Sequence, residues 1–215
     1  MIKIYPSLMA ADQLDLKHEI ETLDAHCVGF HLDLMDGHFV PNLAMSPEVI
    51  NAVDRASQNP VWVHIMADNP RRWIDRLIIK EKSIVSIHIE TKNEITESIN
   101  DIRKKNWLPS LAINPKTAVF ELLPFIDQHI SQILIMSVEP GFSGQKFMPE
   151  VLKKIDVLID LKYRENFPFT IALDGGIGPA VIPQLSSLEV SSIAASRSIF
   201  NHKDRLQNLM QLQKT

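Results

Sequence analysis

His31-Leu32-Asp33-Leu34-Met35-Asp36-Gly37-His38-Phe39-Val40-Pro41-Asn42 is the stretch on which the reading of the chain turns. An apolar run over residues 28–30 leads into it and the turn-forming pair Asp36-Gly37 leaves it, as in a buried strand that ends in a loop. Side chains alternate along a strand, so His31, Asp33 and Met35 share one face while Phe30, Leu32 and Leu34 share the other. The apolar face asks for a cover of helices. The imidazole and carboxylate on the opposite face are either a core histidine satisfied by its neighbour or the start of a site, and the pair alone leaves both readings open.

Outward from this stretch, short apolar runs alternate with longer amphipathic ones. Strands are expected over residues 2–6, 28–33, 61–66, 84–89, 108–113, 132–138, 169–173 and 190–195. Asp12 is placed to cap a helix carrying Leu14, Ile20 and Leu23. Ser46-Pro47-Glu48 opens a second helix with proline at its first position, and Asn69-Pro70 opens a third with Trp73, Ile74 and Leu77 on one face. Further helices are expected over residues 94–105, 116–126 (with Pro124 ending or kinking it), 149–163, 179–185 and 203–212. Strict alternation without linkers calls for a parallel sheet with helices outside. Eight such units in 215 residues fit one closed (β/α)8 barrel, the TIM-barrel architecture, spanning 1–215. An open doubly wound sheet would place a glycine-rich loop after its first strand, where Pro6-Ser7-Leu8-Met9 has no glycine.

A net charge of −4 gives no general attraction to nucleic acid or to an anionic membrane, so an anionic substrate would need a local positive site. The single cysteine, Cys27, allows no internal disulfide and fits a reducing compartment. The first residues lack the basic and long apolar regions of a signal peptide, and no apolar run reaches membrane-spanning length. The expectation is a cytoplasmic protein with neither nucleic-acid nor membrane partners.

Active sites in such barrels lie at the C-terminal ends of the strands. The residues falling there are Ser7, His31 with Asp33, His64 with Met66, His88 with Glu90, Asn114, Ser137, Asp174, and Ser196 with Arg197. Alternation turns His64 and Asp174 to the same side as His31 and Asp33, so two histidines and two aspartates from three strands converge at one rim. Such nitrogen and oxygen donors suit one divalent cation, whether zinc, iron, manganese or cobalt; the competing reading is a hydrogen-bonded polar cluster without metal. Gly141-Phe142-Ser143-Gly144 after the sixth strand and Gly175-Gly176 after the seventh are either plain turns or backbone grips for an anion. Ser196, Arg197 and Ser198 fall where these barrels often hold a phosphate.

The segments Pro6-Ser7-Leu8, residues 31–42, His64-Ile65-Met66, His88-Ile89-Glu90, Asn114-Pro115-Lys116-Thr117, residues 138–147 and Asp174-Gly175-Gly176-Ile177 run nearly end to end. In that order they resemble the ribulose-phosphate 3-epimerase family, which includes the allulose-6-phosphate 3-epimerases. The resemblance implies a ribulose-phosphate-binding barrel with His31, Asp33, His64 and Asp174 on one divalent metal. It implies a phosphorylated ketose substrate bound by Ser7, His64, Gly141, Phe142, Ser143, Gly144, Asp174, Gly175, Gly176, Ser196 and Arg197. It also implies a homo-oligomer, dimer or hexamer, in sugar-phosphate metabolism. Two features depart from the family pattern. Ser196-Arg197-Ser198 stands where the family usually has Gly-Ser-Ala, and the arginine resembles the phosphate-gripping arginine of sister decarboxylases. Met45-Ser46-Pro47 looks more like the allulose-phosphate branch.

Epimerisation at C3, beside a C2 ketone, needs a proton removed from one face and another delivered to the opposite face. Asp33 and Asp174 are the candidate acid and base. Met35, Met66 and Met136 are either an apolar lid over the enediolate intermediate or core filling. A sugar-phosphate decarboxylase or aldolase, and a non-catalytic sugar-phosphate binding protein, are the rival readings.

Overall fold

The structure is a computed structural model describing residues 2–91, 94–201 and 203–214. Its strands are β1 (Lys3–Pro6), β2 (His31–Met35), β3 (Trp62–Met66), β4 (Ile84–His88), β5 (Leu108–Ile113), β6 (Gln132–Met136), β7 (Thr170–Asp174) and β8 (Val190–Ala195). All pair in parallel in one sheet ordered β1-β8-β7-β6-β5-β4-β3-β2. A single parallel bridge between Ser7, just past β1, and His31, at the start of β2, brings the two edges together into a nearly closed barrel. Helices α1 (Leu16–Leu23), α2 (Pro47–Ala56), α3 (Pro70–Ile74), α4 (Ile95–Lys104), α5 (Leu152–Arg164) and α6 (Ile182–Ser186) follow β1, β2, β3, β4, β6 and β7 in turn, and α7 (Arg197–Phe200) and α8 (Arg205–Lys214) both follow β8. No helix among the described residues is long and apolar enough to cross a membrane.

Period-two alternation sorts the strand residues into two compartments. Leu32, Leu34, Val63, Ile65, Ile133, Ile135, Ile171 and Leu173 point outward and are buried beneath the helices. Tyr5, Trp62, Ala112, Leu134, Met136, Ala172 and Ala194 point inward and fill the barrel. Each large apolar side chain so buried contributes about 1.5–3 kcal/mol relative to exposure, which makes a slip of one register step very costly. The inward face also carries a polar chain. The Trp62 indole Nε1–H donates to Ser86 Oγ (2.8 Å), Ser86 to Ser110 Oγ (2.8 Å), and Ser110 to Gln132 Oε1 (3.0 Å).

The structure corrects several expected boundaries. The second strand starts at His31, not at residue 28, and runs to Met35. Gly29 adopts φ +147°, and a Cβ there would lie 2.1 Å from the Pro60 carbonyl oxygen, so the chain turns into the barrel at this point and leaves Val28 42% exposed. Leu14, expected within the first helix, lies before α1 and is almost wholly exposed. The helix expected over residues 116–126 is only a 3-10 turn, Val119–Leu122. Pro124 has no N–H to offer Phe120, and side chains fix the preceding loop instead: Glu90 accepts from Thr117 Oγ1, and Lys154 Nζ donates to the carbonyls of Asn114 (2.7 Å) and Thr117 (2.6 Å). Ser46 does cap α2, with Pro47 in its first turn, and Asn69 caps α3 in the same way.

The last helix closes the seam from outside. α8 packs on β1 and α1, and Arg205 Nε pairs with the buried Glu19 Oε2 at 3.2 Å.

Candidate active site

β2, β3 and β7 bring His31, Asp33, His64 and Asp174 together, with one donor atom of each lying within 4.8 Å of the others. Both imidazoles are completely buried. His64 Nδ1 lies 3.3 Å from Asp33 Oδ1 and 3.4 Å from Asp174 Oδ2, and His31 Nε2 lies 3.9 Å from Asp174 Oδ2. Among the described residues neither His31 Nε2 nor His64 Nδ1 has a hydrogen-bond partner. A buried ring nitrogen without a partner costs about 1–3 kcal/mol. Two of them aimed between two carboxylates are the donor set of a cation site. Ligands at 2.0–2.1 Å around a tetrahedral ion stand roughly 3.4 Å from each other, close to the spacings found. The residues therefore fit a divalent metal.

The outer nitrogens of the same rings are occupied. His31 Nδ1 faces Ser7 Oγ (3.2 Å), and Ser7 Oγ donates to Asp33 Oδ2 (3.1 Å). His64 Nε2 meets His88 Nε2 at 2.9 Å, and His88 Nδ1 meets Glu90 Oε2 at 3.0 Å. The Trp62 ring stands edge-on to His31, with centroids 4.7 Å apart. Burial pushes the Asp33 carboxyl up, but His31 and His64 outweigh this and hold it well below the usual carboxylate range. Burial pushes His64 down, yet Asp174 and Asp33 raise it overall to about 9. Burial dominates at His88 and holds it below its ordinary value. Burial would raise Glu90, but hydrogen bonds from His88, the Asn114 N–H and Thr117 keep it below its ordinary value.

Above the four-residue cage opens a cavity of about 300 Å³. It is lined by Ser7, Asp33, Asp174, Gly141, Phe142, Ser143, Gly144, Gly175, Gly176, Ser196 and Arg197, all singled out from sequence, whereas His31 and His64 lie behind its wall. Met35, Met66 and Met136 line it too and are nearly fully buried. Met9, which periodicity did not mark because it sits in the turn after β1, is a fourth methionine there. Arg197 opens α7 and lays its guanidinium on the β6 loop: a Cβ at Gly144 would fall 1.9 Å from its Cζ, and Gly144 itself is at φ +83°. Among the described residues Arg197 makes no ion pair. The β2 loop buttresses the same segment, since Asn42 Nδ2 donates to the Gly141 carbonyl (2.7 Å). Ser137, also placed at the rim, serves the backbone instead, donating to the carbonyls of Asp174 and Gly175.

Comparison with known proteins adds independent findings. The ribulose-phosphate 3 epimerase family matches residues 3–200. A ribulose-phosphate 3-epimerase of Helicobacter pylori is 34% identical over 98% of this chain and 99% of its own length. Those of Methanocaldococcus jannaschii (34%, 95% of this chain and 86% of the relative) and Bacillus subtilis (31%, 95% of each) are similarly close. Solved structures that share the fold at low identity include the KGPDC of Streptococcus mutans (TM-score 0.69, 12% identity, 100% and 96% coverage). Another is the 3-hexulose-6-phosphate synthase of Salmonella typhimurium (TM-score 0.69, 10% identity, 99% and 97% coverage).

Proposed function

Since this chain belongs to the ribulose-phosphate 3-epimerase family and is an epimerase acting on carbohydrate, we propose that it interconverts D-ribulose 5-phosphate and D-xylulose 5-phosphate. The observation that carries this reading is the pair of partnerless, buried histidine nitrogens facing two carboxylates at the floor of a cavity with a cationic far end. His31, Asp33, His64 and Asp174 would hold one divalent ion of zinc, iron, manganese or cobalt. When bound, that ion supplies a Lewis acid that offsets negative charge developing on the substrate's oxygens.

The chain's own residues then divide the work. Asp33, set between His31 and His64, removes the C3 proton from one face, and Ser7 holds this carboxylate by donating to Oδ2. Asp174 delivers a proton to the other face, and in the reverse direction the two exchange roles. The Asp174 side chain is 16% exposed against 6% for Asp33, which leaves it the more open of the two to water. Met35, Met66 and Met136 give the enediolate a dry, compliant ceiling that withholds stray protons. At the far end Arg197 offers forked donors to the phosphate, with backbone N–H groups of Gly144 and Gly176 beside it.

D-allulose 6-phosphate is the second substrate to weigh. In the Met45-Ser46-Pro47 segment that favours it, Ser46 caps α2. Incubation of the protein with each ketose phosphate and with a sugar acid phosphate, with and without chelator, tests the reading. Chelator-sensitive formation of xylulose 5-phosphate is expected. Turnover of the hexulose phosphate alone would move the substrate to six carbons, and release of carbon dioxide or cleavage of a carbon–carbon bond from a sugar acid phosphate would overturn epimerisation. Turnover of nothing, with tight phosphate binding, would leave a binding protein.

A further inference from the structure

We infer that His88 and Glu90 form a positioning relay that fixes the orientation and proton placement of His64, so that its Nδ1 lone pair is presented to the cage. The inference rests on the metal reading above and concerns residues one layer behind the four ligands.

The argument is one of donors and acceptors. His64 Nε2 and His88 Nε2 are 2.9 Å apart, so one nitrogen carries the proton and the other the lone pair. If the proton sits on His88 Nε2, His88 Nδ1 turns a lone pair toward the Glu90 carboxylate 3.0 Å away, and His64 must carry its own proton on Nδ1, inside the cage. Both consequences are unfavourable. In the opposite arrangement every atom is matched: Glu90 accepts from His88 Nδ1–H, His88 Nε2 accepts from His64 Nε2–H, and His64 Nδ1 is left free.

Glu90 is held in the accepting role. Its Oε1 takes the Asn114 N–H (2.7 Å) and the Thr117 hydroxyl, and Lys154 Nζ fixes the carbonyls of those same two residues. His88 is completely buried, with the Phe39 ring packed on it at 4.8 Å. The proton direction at His64 is thus set from the loop after β5. The other ligand histidine is supported differently: His31 Nδ1 meets the hydroxyl of Ser7, which itself donates to Asp33 Oδ2. Outer partners of this kind govern ligand orientation, and their loss typically weakens metal binding by about 10–100-fold.

The test uses the full chain stripped of metal. Cobalt(II) affinity is measured from the visible absorption of the bound ion against a competing chelator, and melting of the metal-free variants checks that each is folded. His88→Leu should bind cobalt about 10–100-fold more weakly than wild type. His88→Gln, whose side-chain oxygen accepts from His64 Nε2–H, should recover most of the loss. Equal affinity of His88→Leu and wild type overturns the relay. Equal loss in the Leu and Gln variants overturns it as well, because the role is then packing. Wild-type protein that binds no cobalt at the cage overturns the metal reading and the relay together. Should His88→Leu not fold, nitrogen-15 NMR of the zinc-loaded wild type decides: His64 protonated on Nε2 and His88 on Nδ1 is expected, and a proton on His88 Nε2 refutes the relay.

Discussion

Two polar groupings share the interior of this barrel, and Trp62 touches both. On β3 to β6 the indole, Ser86, Ser110 and Gln132 pass hydrogen bonds along a line in which each donor finds an acceptor. On β2, β3 and β7, the rings of His31 and His64 are as deeply set beside Asp33 and Asp174, yet two ring nitrogens have no partner among the described residues. Burial is therefore a poor guide to function here, while satisfaction is a good one. The completed line does the ordinary job of a buried polar network, which is to specify one packing. The incomplete one leaves two ring nitrogens that a proton or a cation can occupy.

The largest expected effect lies in the incomplete grouping. Asp33→Asn and Asp174→Asn should each lower epimerisation by about 10²–10⁴-fold, the usual worth of a positioned acid or base. Exchange of the C3 proton with deuterated water should persist for one epimer in the variant that keeps the relevant carboxylate. Turnover near wild type in either variant would end the two-carboxylate scheme.

Next in size is the phosphate end. Arg197→Ala should lower kcat/KM by roughly ten- to hundred-fold, the equivalent of a charge-assisted hydrogen bond, with most of the change in KM because the phosphate does not react. Inhibition by inorganic phosphate should weaken in parallel. If both constants and the inhibition stay put, the phosphate is held by backbone alone.

Metal uptake should carry a pH signature of the unsatisfied nitrogens. His64 is raised to about 9 in the metal-free protein, so a proton must leave before a cation binds, and apparent affinity should climb about tenfold per pH unit toward pH 9. The sign for stability is opposite. A raised histidine stabilises the metal-free fold fully below about pH 6.5, and that contribution fades as pH rises through about 9. The depressed Asp33 contributes above about pH 4 and is lost on acidification. Melting curves with and without zinc between pH 6 and 9 should therefore diverge with rising pH; parallel curves would contradict the assignment.

The smallest effect on activity belongs to the completed line. Ser110→Ala strands the Ser86 hydroxyl and Gln132 Oε1, costing about 1–3 kcal/mol, or a fall in melting temperature of about 2–4 °C for each kcal/mol. Cobalt affinity and kcat/KM should not change. A Ser110→Ala protein that melts normally but binds metal poorly would erase the distinction between the two groupings.

Much of this was legible in the sequence because it follows from local periodicity. Alternation placed His31, Asp33, His64 and Asp174 on inward faces, and eight repeats of strand and helix implied the barrel. What stayed hidden depends on contacts between strands. His88 and Glu90 stood out at a strand end, but no pattern along β4 shows that His88 Nε2 meets His64 Nε2. The same holds for Lys154, which lies far along the chain in α5 yet pins the loop that propensity favours as a helix. Periodicity puts the start of β2 at Val28 because that residue is apolar, and nothing local shows the close approach of Gly29 to Pro60 that turns the chain there. Nor does composition reveal that Gly144 leaves room for the guanidinium of Arg197.

The seam between β1 and β2 has a consequence in time. Ser7 takes its backbone partner from Ala195 in the last strand, and its link to the second strand is the bridge to His31. As the chain leaves the ribosome, β2 and β3 can pair early, but β1 must wait for β8, and the cage must wait for Asp174. A half-made chain therefore presents His31, Asp33 and His64 without the fourth donor or the neighbour that orders Ser7. The four donors therefore come together only once β7 has joined the sheet, and Ser7 is ordered only once β8 has.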